Sequence, residues 1–252
     1  CQAWLAEINK QKVGTFGNAG CFSFQNTKHL PIGEGGAIIS NDDNFMDLCH
    51  SYHNCGRPYG KMVDSVAGSY VIRGNNLRMS EYQAAVGIVQ LKRLDSQTTI
   101  RNKNADYLRE KLSKIPGIIP HKLNPGVTRA AYHLFPFRYM KGEFSNMSKQ
   151  EFIAALRAEG IPSSSGYQPL NTMPYLNDSF QSKNYKLMYP KKMLDFKLFV
   201  EKNRCPVNDR LCSDEAVWFS QNMLLGSFSD MDDIYNAIEK IHNNSAKIKK
   251  GS

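Results

Sequence analysis

The stretch from Gly20 to Gly36, GCFSFQNTKHLPIGEGG, limits more than any other what this chain can fold into. Cys21–Phe24 and the following Ala37–Ser40 have the short apolar look of strands, and the polar residues between them form a loop. Gly33, Gly35 and Gly36 permit positive φ and close backbone approach, so the loop can bend tightly beside a ligand.

Lys28 sits in that loop. A lysine is by default solvated surface, but Ser23 precedes this one by five residues. A hydroxyl able to hold a phosphate and an amine able to form an imine can therefore face one cavity. The pairing suits pyridoxal phosphate, which needs a lysine imine and a phosphate cradle.

The string resembles the active-site segment of the DegT/StrS sugar aminotransferases, which are fold type I pyridoxal-phosphate enzymes. The resemblance implies that Lys28 carries the cofactor and that Ser23 binds its phosphate. Dehydratases of the family have histidine in place of the lysine. Here histidine follows one place later, at His29, so a transaminase is implied, with His29 facing the substrate. Cys1-Gln2-Ala3 resembles the end of the family's DAxQA segment, and Gln2 matches the glutamine that contacts the cofactor ring's 3-oxygen. The aspartate that pairs with the ring nitrogen would fall two residues before Cys1. Family members are longer at the amino end, so the resemblance implies that part of the large domain is missing and that this polypeptide alone is a poor catalyst.

Gly74–Met79, GNNLRM, is similar to the family's GxNxRM motif, whose asparagine reaches across a dimer interface to the neighbour's cofactor phosphate; Asn76 is the match. The segment Ile161–Leu176 resembles the family's substrate-facing loop and makes Tyr167 a substrate contact. With the HNCGRP run at His53–Pro58, these motifs look closest to the branch that includes glutamine-dependent inosose aminotransferases.

The 252 residues, 41% hydrophobic, suffice for one large domain or two small ones with a real core. A net charge of +9 admits nucleic acid, anionic membrane or acidic small molecules as partners. Lysines and arginines are scattered apart from Lys247, Lys249 and Lys250, and no aromatic-interleaved basic motif occurs, which favours small molecules over nucleic acid. No run reaches the roughly 18 apolar residues of a membrane helix. Six cysteines without CxxC spacing fit free thiols in a reducing cytoplasm. Cys49, His50, His53 and Cys55 lie close together but lack the spacing of a zinc site, so no metal is expected.

Asn41–Asp43 caps a helix running to about Cys49, and Gly56–Asn76 reads as an extended loop with a strand at Tyr70–Ile72. A long helix from Ser80 toward Leu112 carries Ala84, Ala85, Ile88, Val89 and Leu91 at helical spacing, which predicts a core stripe. Tyr132–Tyr139 reads as a strand, and Pro136 marks it as an edge or a bulge. Ser148 and Glu151 form a capping-box pattern before a helix that Gly160 ends. The last helix starts near Ser229 and carries Met231, Ile234, Ile238 and Ile241 on one face.

The expected class is α/β. The resemblance makes residues 1–115 part of a mostly parallel, three-layer cofactor-binding large domain with its linking helix, and residues 116–252 a small α+β domain. The expected function is a pyridoxal-phosphate-dependent transfer of an amino group from glutamate or glutamine to a nucleotide-linked keto sugar or keto cyclitol, by a cytoplasmic homodimer. A non-catalytic, regulatory member is the alternative, and retention of Lys28, Ser23 and Asn76 argues against it.

Overall fold

The computed structural model describes residues 1–60 and 70–250, the last two by backbone alone. In chain order the elements are β1 (Glu7–Ile8), β2 (Gln11–Lys12), β3 (Gly20–Ser23), β4 (Gly36–Ile39), α1 (Asp43–His53), α2 (Glu81–Leu112), β5 (Ile118–Pro120), β6 (Val127–Arg129), β7 (Leu134–Tyr139), α3 (Lys149–Ala158) and β8 (Ser164–Ser165). The short helices α4 (Pro174–Gln181), α5 (Lys183–Met188), α6 (Phe196–Lys202) and α7 (Pro206–Arg210) follow, then β9 (Ala216–Ser220) and α8 (Phe228–Lys250).

Contacts divide the chain into two compact units, Cys1–Ala105 with Lys122–His133, and Asp106–His121 with Leu134–Ser252. The division falls inside α2 and not at the expected 115/116 boundary, because residues after β5 return to the first unit. There β6 pairs with β1 through Ile8↔Val127 and Glu7↔Arg129. Asn102 of α2 clamps the next residues, donating to the Ala130 carbonyl at 2.8 Å and accepting the Ala130 amide at 3.1 Å.

In the first unit, β2, β1 and β6 form one sheet in that order, and β3 and β4 form a hairpin with Gly20 opposite Ile39 and Ser23 opposite Gly36. The strands approach so closely that a Cβ on Gly36 would lie 2.8 Å from the Phe22 carbonyl oxygen. Asp42 caps α1 by accepting the Phe45 amide at 3.0 Å. Every strand pair among the described residues is antiparallel. The parallel layer implied for the large domain is thus not formed by pairs within these residues. Parallel neighbours require a crossover, whereas β3 and β4 are joined by one loop that returns the chain directly.

Two local expectations change. Val71 donates to the Gly56 carbonyl at 2.9 Å, but no strand forms at Tyr70–Ile72, and residues 61–69 of that loop lie outside the described residues. The core stripe of α2 also lies later than expected. Ile88, Val89 and Leu91 are 58%, 61% and 58% exposed, while Leu94, Thr98, Arg101, Ala105, Leu108 and Leu112 are buried at spacings of four and three. Thr98 tolerates burial because its hydroxyl folds back onto the Leu94 carbonyl at 2.8 Å.

The second unit is built on the antiparallel sheet β5-β7-β9-β8. Alternation along β7 and β9 buries Phe135, Phe137, Tyr139, Val217 and Phe219, and the Tyr139 ring stacks on Phe152 of α3 at 4.3 Å. Pro136 does not mark an edge, since β7 pairs with β5 and β9. Its carbonyl accepts the His121 amide at 3.2 Å just past the end of β5, so the donor that proline lacks faces a place where the ladder has stopped. The reciprocal acceptor, the His121 carbonyl, takes a bond from Arg109 Nε at 3.2 Å.

The capping box forms as read: Ser148 Oγ accepts the Glu151 amide at 3.2 Å, and the Glu151 carboxylate accepts the Ser148 amide at 2.6 Å. Met231, Ile234, Ile238 and Ile241 of α8 are all buried. No helix among the described residues is long and apolar enough to cross a membrane.

Candidate active site

Ser23 ends β3 half-buried, and its Oγ accepts the Gln25 amide at 3.3 Å, which leaves the hydroxyl proton free to donate. The chain then turns. Lys28 N donates to the Gln25 carbonyl at 2.9 Å, and Gln25 Oε1 accepts from the amide and hydroxyl of Thr27 at 2.9 and 2.6 Å. Beyond the turn Leu30 and Ile32 are buried with Leu94, and Trp4, Leu5 and Phe24 pack around them. The turn on one side and this small core on the other fix the backbone of Lys28, whose side chain is half-buried. Among the described residues no carboxylate pairs with its amine.

The first residues run along the same strand. The amino group of Cys1 donates to the Cys21 carbonyl at 3.0 Å and Trp4 Nε1 to the Ser23 carbonyl at 3.1 Å, so exposed Gln2 is held beside β3. Gln2, Ser23 and Lys28 are thus gathered on one strand and the turn that follows it. Asn76 is exposed, bridges Asn54 across the chain, and accepts the Arg78 amide at 3.4 Å through Oδ1. It opens no helix, because α2 begins at Glu81. Tyr167 belongs to the second unit, where it is 66% exposed and its ring lies 5.3 Å from that of Trp218.

His29 departs from expectation. It is 2% exposed and turned into the protein, so it does not present its ring to a substrate. The His133 ring meets it edge-on at 5.8 Å, and among the described residues neither His29 nitrogen has a hydrogen-bond partner. Burial, helped by the Arg101 guanidinium, pushes the His29 imidazole down to about 4, with the backbone of Tyr132 and Ala131 acting the other way. Arg101 is itself 1% exposed, and burial pushes it down to about 10. His133 is lowered by burial and then by the charge of Lys28.

Tyr132, Ala131 and His133 form a wall that sequence reasoning missed. Residue 132 has φ of 54°, a left-handed backbone uncommon for an aromatic residue, and nothing in YHLFPFRY announces it. Arg101 was legible in principle, since it occupies the buried stripe of α2, but a periodicity search restricted to apolar residues passes over it.

Elsewhere, His53 Nδ1 bonds the His50 carbonyl at 2.6 Å, and no group of three or more His, Cys, Asp or Glu side chains among the described residues is placed to hold a metal. All six cysteines are free thiols.

Residues 1–196 match the DegT/DnrJ/EryC1/StrS aminotransferase family. The chain belongs to this family. An L-glutamine:2-deoxy-scyllo-inosose aminotransferase of Streptomyces kanamyceticus is 35% identical to the family member described here, over 95% of this chain and 56% of its own length. The chain therefore spans little more than half the length of the curated relatives it matches. Among solved structures, 3-amino-5-hydroxybenzoic acid synthase superposes with a TM-score of 0.74 at 24% identity, covering 94% of this chain and 57% of that one. S. venezuelae DesV, solved in complex with a ketimine intermediate, superposes with a TM-score of 0.67 at 22% identity, covering 94% and 55%. These likenesses establish the fold, and the α/β class read from the sequence is borne out.

Proposed function

We propose that this chain carries the lysine side of a pyridoxal-phosphate transaminase site that takes an amino group from glutamine and places it on a keto cyclitol. The observation that carries the reading is a half-buried lysine, with no carboxylate partner among the described residues, in the turn that follows a strand ending in a serine hydroxyl, within a family of aminotransferases. The residues present fit the cofactor. Lys28 supplies an amine for its aldehyde, Ser23 a hydroxyl donor for its phosphate, and Gln2, held along the same strand, an amide for the ring oxygen. Asn76, exposed and away from these bonds, serves the phosphate of a second copy in a homodimer.

When bound, the cofactor supplies the electron sink that lets an amino group leave one carbon and join another. The rest falls to the chain. Lys28 Nζ takes the proton from the donor's Cα and returns one to the acceptor carbon, which a positioned amine does as general base and then general acid. The turn closed by Gln25 and the Leu30–Ile32–Leu94 core hold the lysine backbone still while its side chain is displaced and returns. Keto cyclitols are preferred over nucleotide-linked keto sugars because the named relatives act on inososes with L-glutamine. Cytoplasmic location agrees with six free thiols.

The test is chemical. The protein incubated with pyridoxal phosphate should gain a visible band that borohydride abolishes, leaving the cofactor fixed on the peptide that holds Lys28, and Lys28→Ala should show neither. Fixation on another lysine would refute the assignment. Amination of 2-deoxy-scyllo-inosose by glutamine, set against a nucleotide-linked keto sugar, then decides the acceptor.

A further inference from the structure

The second unit carries a cavity that the lysine chemistry does not use. We propose that this hollow at the end of α3, lined by Arg157, Ser163 and Ser164 and by Trp218 and Ser220 of β9, binds a phosphorylated polyol ring such as a cyclitol phosphate. The proposal goes beyond the transaminase reading and does not rest on it.

Alternation along the strands builds the hollow. Val217 and Phe219 of β9 are buried in the core, so Trp218 and Ser220 stand on the opposite face of the sheet. β8 pairs with β9 so that Ser164 lies directly across from Trp218, which puts both side chains on that face. Gly160, at a φ of 80°, ends α3 and turns the chain back through Pro162 and Ser163 to β8. The last turn of α3 delivers Arg157, whose Nη2 donates to the Ser163 carbonyl at 3.0 Å and so fixes the fork at the rim. The volume, about 400 Å³, falls within the roughly 300 to 1,000 Å³ of small-ligand sites.

The lining suits one class of ligand. Arg157 pairs with no carboxylate among the described residues, and no Asp or Glu lines the hollow, so the other N–H groups of its fork can meet an anion without competition. Ser163 is 6% exposed, and its hydroxyl has no hydrogen-bond partner among the described residues, a deficit that a bound oxygen would remove. Ser220 gives its proton to Asn222 Oδ1 at 2.6 Å, which leaves its oxygen to accept from a ligand hydroxyl. The indole of Trp218, braced by the Tyr167 ring at 5.3 Å, offers a flat apolar wall to the C–H face of a ring. An inorganic anion would leave that wall bare, and a neutral polyol would leave the guanidinium unmatched.

Trp218 is also the reporter. In the intact chain carrying Trp4→Phe, its emission should change saturably on titration with myo-inositol 1-phosphate, while Trp4 in a Trp218→Phe chain should not respond. Arg157→Met should weaken binding by roughly tenfold or more, the scale of a charged hydrogen bond. Ser164→Tyr fills the hollow with a residue that strands favour, so it should abolish the response and leave the urea midpoint unchanged. Inorganic phosphate and myo-inositol, each alone, should bind at least roughly tenfold more weakly than the ester. Inorganic phosphate that binds as tightly as the ester overturns the part given to the ring, and myo-inositol that does so overturns the part given to the anion. No saturable change at Trp218, undiminished affinity in Arg157→Met, or a response from Trp4 refutes the site.

Discussion

Burial of His29 makes the first unit acid-sensitive, and the size of the effect follows from the structure. The imidazole titrates at about 4 in the folded chain against 6.5 for an unhindered one. A histidine whose folded value lies below its unfolded value costs nothing above the unfolded value, and its penalty grows as pH falls from there toward the folded one. At pH 5.0 the unfolded ring is almost wholly protonated, whereas the folded ring is about one-tenth protonated. Linkage then gives a loss of about 2 kcal/mol on going from pH 7.5 to 5.0. His29→Leu removes the titrating group while keeping a buried side chain of similar size. The variant should be less acid-sensitive than the wild type by about 2 kcal/mol, whatever its stability at pH 7.5.

The chain's two tryptophans make the assay local. Trp4, packed on Phe22 at 4.5 Å, reports the first unit, and Trp218 the second. Urea unfolding at both pH values, followed by Trp4 fluorescence in a Trp218→Phe background, isolates the unit that holds His29. His121 also titrates below its usual range, but it lies in the second unit and is common to both proteins. Identical losses on acidification in His29→Leu and the wild type would refute the reasoning, because the proton would then be taken up elsewhere.

Two further outcomes test the frame that carries the site. A Cβ on Gly20 would stand 2.3 Å from the Gly14 carbonyl oxygen, which is backbone and cannot step aside, so Gly20→Ala should lower stability by about 2 to 3 kcal/mol. Gly17→Ala meets nothing within 4 Å and should leave the melting temperature nearly unchanged, and a smaller loss at position 20 than at 17 would contradict the hairpin geometry. In the second unit the buried Tyr139 hydroxyl donates to the Met147 carbonyl at 2.9 Å, so Tyr139→Phe should cost about 1 to 2 kcal/mol in urea unfolding followed by Trp218, and a neutral result would sink that bond.

What could be read in advance follows a physical pattern. Signals carried by neighbours in sequence survived: the hairpin around Lys28, the Ser148–Glu151 box, the buried face of α8, and the α/β class. Pro136 misled because the rule that proline avoids central strands concerns one missing donor. The chain meets that rule by ending β5 one position earlier and turning Arg109 onto the His121 carbonyl, so a strand of low donor capacity sits between two partners. His29 misled in another way. Beside the candidate lysine it invites a functional role, and only coordinates show that the side chain leaves on the buried side.

Helix α2 separates two things that periodicity merges. Its first half carries apolar residues at helical spacing yet exposes them. Its second half buries a stripe that includes Thr98 and Arg101. Periodicity records which face is apolar, but burial depends on whether another part of the chain reaches that face, and here the loop after Lys28 reaches Leu94. A threonine can join the buried stripe because it satisfies its own hydroxyl one turn back, and the arginine in that stripe stands close enough to His29 for its charge to help hold the imidazole down. Arg101→Met should therefore raise the His29 midpoint in an NMR titration of the chain labelled with nitrogen-15 histidine. A midpoint that stays near 4 would mean that burial alone holds the ring neutral.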